Sequence, residues 1–166
     1  MVMLPYILIL NGPPCSGKST FAKKMISKHW NTVRINRDDC RFMLKNQFFI
    51  GHRLETIVKN NIPKLIDELT DQGYNVIMDN THCKIGDIDN IIKNYSDIVD
   101  VKIITFEESL FTLFYRNLKR KLFKGIWIPF EAIKTINSNQ KKVLKQIQEK
   151  NYVTYTAKEA KKLYNL

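Results

Sequence analysis

The sequence is poor in cysteine and in acidic residues, and it has no long apolar run. Its three cysteines among 166 residues, Cys15, Cys40 and Cys83, are odd in number and widely spaced, with no C-x-x-C pair. That excludes a disulfide framework and a cysteine zinc site. No apolar stretch is long enough to span a bilayer, so no membrane partner is expected. The opening MVMLPYILIL has neither a basic flank nor a small-residue cleavage site. It reads as a first buried strand rather than a leader, which places the protein in the cytoplasm. There is no internal repeat, low-complexity segment or domain linker. An N-K-x-D motif for guanine is also missing.

Acids number 16 against 27 lysines and arginines, for a net charge of +11. The imbalance is uneven. Residues 1–101 carry 13 basic and 11 acidic residues, a net of +2, whereas residues 102–166 carry 14 and 5, a net of +9. A basic half on a near-neutral half suits a polyanionic partner. The same charge also serves solubility in a chain rich in Asn, Ile and Lys.

What is present is an alternation of strand and helix signals. Apolar runs at 4–10, 32–36, 74–79 and 99–106 read as strands. Helical periodicity covers 18–29, 52–72, 85–95, 109–123 and 130–150. A further helix runs from a cap at Asp38 or Asp39 to Leu44. Pro63 lies inside the second long helix and predicts a kink or a break. Residues 152–166 read as a short strand followed by a frayed basic helix. The expectation is a single α/β domain over 1–166 with a P-loop kinase fold: a parallel sheet of four to five strands, helices on both faces, a core over 4–150 and a basic tail over 151–166.

GPPCSGKST, residues 12–20, fits G-x-x-x-x-G-K-[S/T] between a strand and a helix. Gly12 and Gly17 let the loop wrap, with Pro13, Pro14, Cys15 and Ser16 contributing backbone N–H groups or filling the turn. Lys18 reaches the β- and γ-phosphates of a nucleoside triphosphate. Ser19 ligates Mg²⁺, with Thr20 beside it at the helix N-terminus. INRDDCR, residues 35–41, follows the second strand. A kinase acting on a hydroxyl needs a carboxylate to take its proton, and Asp38 is the candidate. Arg41, three residues on, faces the same side and suits an acceptor phosphate. The pair equally fits a capping acid and a surface arginine. VIMDNTH, residues 76–82, ends a strand on Asp79. That is a Walker B form in which the acid holds Mg²⁺, with Asn80 and Thr81 on the same edge. RNLKRKLFKG, residues 116–125, sets Arg116 and Arg120 at i and i+4. The two arginines suit a lid that neutralises the transferred phosphate, although a solvated basic face has the same spacing. Trp127 and Phe130 beside it fit base stacking or core packing. His29, His52 and His82 read as structural.

These four motifs, in this order over residues 4–145, resemble the 5′-kinase domain of phage-type polynucleotide kinases. The pair of acids in INRDD with an arginine two residues on carries the resemblance. It implies ATP as donor, Mg²⁺ as cofactor, a nucleic acid with a 5′-OH end as substrate, and a virus- or phage-encoded source. It further implies Asp38 as general base for the 5′-OH, Arg41 on the acceptor nucleotide's 3′-phosphate, and Arg120 as the lid arginine with Arg116 supporting it. Many such enzymes carry a D-x-D-G-T-like phosphatase motif. This sequence has none, and no phosphatase activity is expected. Two other readings remain: a small-molecule kinase of the same fold acting on a nucleoside, nucleotide or sugar-type acceptor, and a nucleotide-dependent binding protein.

Overall fold

The structure is a computed structural model. It describes residues 4–47 and 50–166, with Lys124 described by its backbone alone. Met1–Met3, the start of the opening apolar run, lie outside the described residues.

Alternation along the strands decides the layers. In β1 (Tyr6–Asn11), Ile7 and Ile9 enter one core cluster while Leu8 and Leu10 enter another, as side chains two apart share a face of a strand. All four are fully buried, which requires cover on both faces, and the helices between strands supply it. In chain order the elements are β1, α1 (Lys18–Lys28), β2 (Thr32–Ile35), α2 (Arg37–Lys45), α3 (His52–Asp71), β3 (Asn75–Met78), α4 (Ile85–Tyr95), β4 (Asp100–Thr105), α5 (Leu110–Lys124), α6 (Phe130–Glu149), β5 (Thr154–Thr156) and α7 (Ala157–Leu163).

The five strands lie in the order β2-β3-β1-β4-β5, and every neighbouring pair is parallel. One face is covered by Val58, Ile62 and Ile66 of α3, Ile88 and Tyr95 of α4, and Val143 and Ile147 of α6. The other is covered by Phe21, Ala22 and Met25 of α1 and by Ala160 of α7. Burying each such aliphatic side chain stabilises the fold by about 1.5–3 kcal/mol. The α/β expectation with helices on both faces is met, and element ends differ from it by one or two residues.

Three local expectations need correction. The cap of α2 is neither Asp38 nor Asp39 but Asn36, whose side chain accepts the Asp39 N–H at 3.0 Å. The two aspartates sit in the first turn instead, where their charge complements the helix dipole. Pro63 does not break α3, which runs unbroken through 20 residues. Pro63 and Lys59, whose carbonyl loses its partner, both lie on the exposed side. Val58, Ile62 and Ile66 hold the neighbouring face of the helix on the sheet, so the helix continues past the proline. The last helix is not frayed. Thr156 and Glu159 close a reciprocal capping box on α7. β5 pairs with β4 as an edge of the sheet.

Candidate active site

The carboxyl ends of β1, β2 and β3 meet at one edge, where ligands bind in open parallel sheets. β1 feeds the glycine-rich loop there. Gly12 is needed because a Cβ on it would sit 2.8 Å from the Phe106 carbonyl oxygen and 2.9 Å from the Phe106 Cβ. Its N–H donates to the Thr81 carbonyl at 3.1 Å, which ties the loop to the end of β3. Cys15 (φ 65°) and Gly17 (φ 100°) take left-handed conformations. Such turns point successive backbone N–H groups inward. Pro13 is buried, while Pro14 and Cys15 are half-buried. Ser16 is buried, with its N–H toward the Pro13 carbonyl.

Lys18 opens α1 and is buried. Its Nζ donates to the Gly12 carbonyl at 2.8 Å and the Pro13 carbonyl at 2.7 Å. Burial pushes its pKa down to about 8, against the opposing pull of Asp79. Ser19 and Thr20 are exposed at the start of α1 and line an open concavity with Lys23, Lys24 and Ser27.

Asp79 follows β3 and is 1 % exposed. Its Oδ2 accepts the Arg34 Nε–H at 2.7 Å, and Arg34 also pairs with Asp39. Asn36 donates from its side chain to the Asp79 carbonyl. Asn80 accepts the Arg37 N–H at 3.1 Å. The ends of β2 and β3 are thus laced together by Arg34, Asn36 and Asn80. Thr81 is half-buried. His82 is 3 % exposed and its Nδ1–H donates to the Leu10 carbonyl at 2.8 Å. Burial pushes its pKa down to about 4, so the ring is neutral at physiological pH.

On α2, Asp38 is exposed and accepts the Arg41 Nη1–H at 2.6 Å. Arg41 also makes a two-point contact with Glu55 on α3: Nε to Oε2 and Nη2 to Oε1, each at 2.8 Å. Such fork-to-carboxylate geometry fixes the guanidinium plane. The hydrogen bonds from Arg41 hold the Glu55 carboxyl below its usual range.

On α5, Arg116 donates to the Cys15 carbonyl at 3.3 Å and to Glu108 at 2.8 Å. It clasps the loop instead of standing free. Arg120 lies near enough to Lys18 for its charge to lower the Lys18 pKa further. Asn117, fully buried, pins the following loop by donating to the Ile128 carbonyl at 2.8 Å. Phe114 packs edge-on against Trp127 and Phe130, with ring centroids 6.3 and 5.1 Å away. Trp127 is therefore packed on one side and 40 % exposed on the other.

Gly12 to Thr20, Asp79 to Thr81, Arg116 and Arg120 converge on one edge of the sheet, with Asp38 and Arg41 at the β2 end of it. Sequence reasoning missed Arg34, Asn36 and Glu55, which position the named residues. It also missed a buried amide bracket behind the loop, in which Gln140 donates to the Phe106 carbonyl at 3.1 Å and Asn11 donates to the His82 carbonyl at 2.7 Å. Asn117 sits on the buried side of α5, and Gln140 shares the buried face of α6 with Ile133, Asn137, Val143 and Ile147, a signal the sequence does contain.

Among the described residues no three His, Cys, Asp or Glu side chains gather to hold a metal. The donors present, the Ser19 hydroxyl and the Asp79 carboxylate, are hard oxygens. They suit Mg²⁺, which normally takes few protein ligands and completes its shell with phosphate and water. No described helix is long and apolar enough to cross a membrane.

The model of the AAA domain family matches residues 7–143 of the chain. A chain of the Pnkp1/Rnl/Hen1 RNA repair complex superposes with a TM-score of 0.81 at 29% identity, over 88% of this chain and 47% of that one. A chain of a Pnkp1/Rnl/Hen1 complex superposes with a TM-score of 0.65 at 30% identity, over 70% and 40%. This chain therefore spans about half the length of those relatives or less. A deoxyadenosine kinase from M. mycoides shares the fold with a TM-score of 0.57 at 17% identity, over 91% and 89%. No curated protein sequence matches the chain.

Proposed function

This chain belongs to the AAA domain family, with a P-loop kinase fold, and from that premise we propose that it is a polynucleotide 5′-hydroxyl kinase moving the γ-phosphate of ATP to the 5′-OH of DNA or RNA. One observation carries the proposal. On the sheet edge that bears the glycine-rich loop, an exposed carboxylate, Asp38, is hydrogen-bonded to an arginine whose plane is locked by Glu55. A loop that grips a nucleotide needs nothing of the kind. A hydroxyl acceptor carrying its own phosphate needs both groups. The likeness to a chain of an RNA repair complex supports the nucleic-acid acceptor.

In this reading the backbone N–H groups of residues 15–18 and the Lys18 ammonium hold the donor phosphates. Asp38 accepts the proton of the 5′-OH as its oxygen bonds to the γ-phosphorus and the bond to the β-phosphate oxygen breaks, leaving ADP. Arg41 holds the phosphate 3′ of the acceptor sugar. Asn80 and Thr81 line the acceptor side. Arg120 stabilises charge on the transferred group, and Arg116 holds the lid helix on the loop. Mg²⁺ held by Ser19 and Asp79 together with the nucleotide supplies charge neutralisation on the phosphates.

The test is to offer γ-labelled ATP with a 5′-OH oligonucleotide, with nucleosides and with mononucleotides. Label on the oligonucleotide is expected. Label on nucleosides or mononucleotides alone would reassign the protein as a small-molecule kinase.

A further inference from the structure

α5 has an outer face that neither the core nor the glycine-rich loop uses. Phe111, Tyr115, Lys119 and Phe123 stand four residues apart along it. Positions i and i+4 are neighbours on a helix, and each step rises about 6 Å. The four side chains therefore form one continuous ridge that winds toward the side carrying Arg116 and Arg120. The rings stand in the open: Phe111 is 81 % exposed, Tyr115 59 % and Phe123 77 %. Three exposed aromatic rings on one ridge of one helix are not ordinary surface. The Lys119 ammonium lies 6.0 Å over the Phe123 ring, and the Lys121 ammonium 5.1 Å over the Trp127 ring. The helix LFTLFYRNLKRKLFK contains no acidic residue.

We infer that this ridge binds single-stranded nucleic acid, with Phe111, Tyr115 and Phe123 as stacking platforms and Lys119 on the phosphates. Aromatic rings interleaved with cations are what a flexible polyanion with flat bases needs. The stacking is indifferent to sequence because every base has a π-face. A second copy of this chain is disfavoured by charge, since two acid-free basic helices would face each other. An apolar helix of a partner protein would use Leu118 and Leu122, which adjoin the ridge, but would leave Lys119 unpaired unless its flanks were acidic. The site lies outside the donor and acceptor groups already named. It would hold the strand beyond its reacting end. The inference rests on the nucleic-acid acceptor reading of the function.

The experiment uses the full chain and a fluorescein-labelled oligothymidylate of about 20 nucleotides, longer than a typical single-strand site. The oligonucleotide already bears a 5′-phosphate. It cannot accept a phosphoryl group, so its binding reports on the ridge and transfer to a 5′-OH strand reports on the proposed activity. Fluorescence anisotropy should show the Phe111→Ala/Tyr115→Ala variant binding roughly tenfold or more weakly. Lys119→Ala should flatten the slope of log affinity against log salt by about 0.7. Ile98→Ala, an exposed apolar residue before β4 at the opposite end of the sheet, should bind as the parent does. Unchanged affinity in the double aromatic variant overturns the inference. So does a concentration-dependent dimer in sedimentation that the same variant dissolves, because the face would then be a self-interface.

Discussion

Arg34 on β2 donates its Nε–H to the Oδ2 of Asp79 at 2.7 Å, joining the ends of two neighbouring parallel strands through a carboxylate with almost no solvent. The contact lies beside Lys18, whose charge Asp79 favours. Removing one member of a buried pair leaves the other charge uncompensated, which costs more than the pair contributes. Arg34→Met should therefore lower unfolding free energy by about 3 kcal/mol in urea titrations at neutral pH. Adding Asp79→Asn should restore part of that loss. A double variant no more stable than Arg34→Met would show that the two side chains are not coupled.

Lys18 gives a pH dependence. Burial pushes its pKa down to about 8, so raising pH through that value discharges the group proposed to hold the donor phosphates. Bound phosphates favour the charged form and raise its pKa. ATP affinity should fall between about pH 8 and pH 10, and binding near pH 9 should take up a proton. Calorimetry in two buffers of different ionisation enthalpy measures that proton directly. In the free protein the sign is opposite for stability. A lowered lysine pKa binds fewer protons folded than unfolded, so this group's contribution rises with pH from about 8 toward its ordinary value of 10.5.

Asp38→Asn keeps the side chain's size and removes its basicity. Phosphoryl transfer to a 5′-OH oligonucleotide should drop by at least about 100-fold, while ATP affinity stays within experimental scatter. Full transfer by this variant would remove Asp38 from the role of base.

Glu55 acts through Arg41. Glu55→Gln loses the charge of the two-point contact but keeps one oxygen acceptor. The KM for an acceptor bearing a 3′-phosphate should rise about five- to tenfold, with kcat nearly unchanged. Glu55→Asp should recover less than half the effect, because the shorter side chain cannot reach both nitrogens. The carboxyl is held low, so the pair's stabilisation is fully present above the ordinary value of 4.5 and is lost as pH falls below it.

Gly12→Ala should be destabilising without any role for charge. The added methyl meets the Phe106 carbonyl and Cβ below 3 Å, and Phe106 is itself packed edge-on to Phe21 at 5.6 Å. About 1–3 kcal/mol is expected, read as a lower thermal midpoint.

Much of this molecule is written in local patterns. The run at Ile7–Leu10 is apolar on both faces, and only a strand covered on both sides buries it. The glycine-rich loop is legible because its glycines, lysine and hydroxyl have fixed spacing. Pro63 reads as a helix break only in isolation, because the packing of α3 on the sheet is invisible to a local rule. The apolar face of α3 holds the helix continuous through the exposed proline. The α2 cap was assigned to the wrong residue because Asn36, Asp38 and Asp39 are all good caps, and only the chain's path out of β2 selects one. Arg34 and Glu55 left no trace, since their meaning lies in partners 45 and 14 residues away. Nothing in a one-dimensional pattern states which arginine meets which acid.

α1 starts at the glycine-rich loop and ends against the last turn of the chain. Met25 shares a cluster with Ala160, Tyr164 and Leu166, and Lys28 and His29 donate to the Asn165 and Tyr164 carbonyls. At about 1.5 Å per residue, a helix of this length is a lever some 16 Å long, and a packed helix moves as a rod rather than bending. The far end of that rod is set by residues 160–166. Residues 160–166 thus buttress the same helix whose other end carries Lys18 and Ser19.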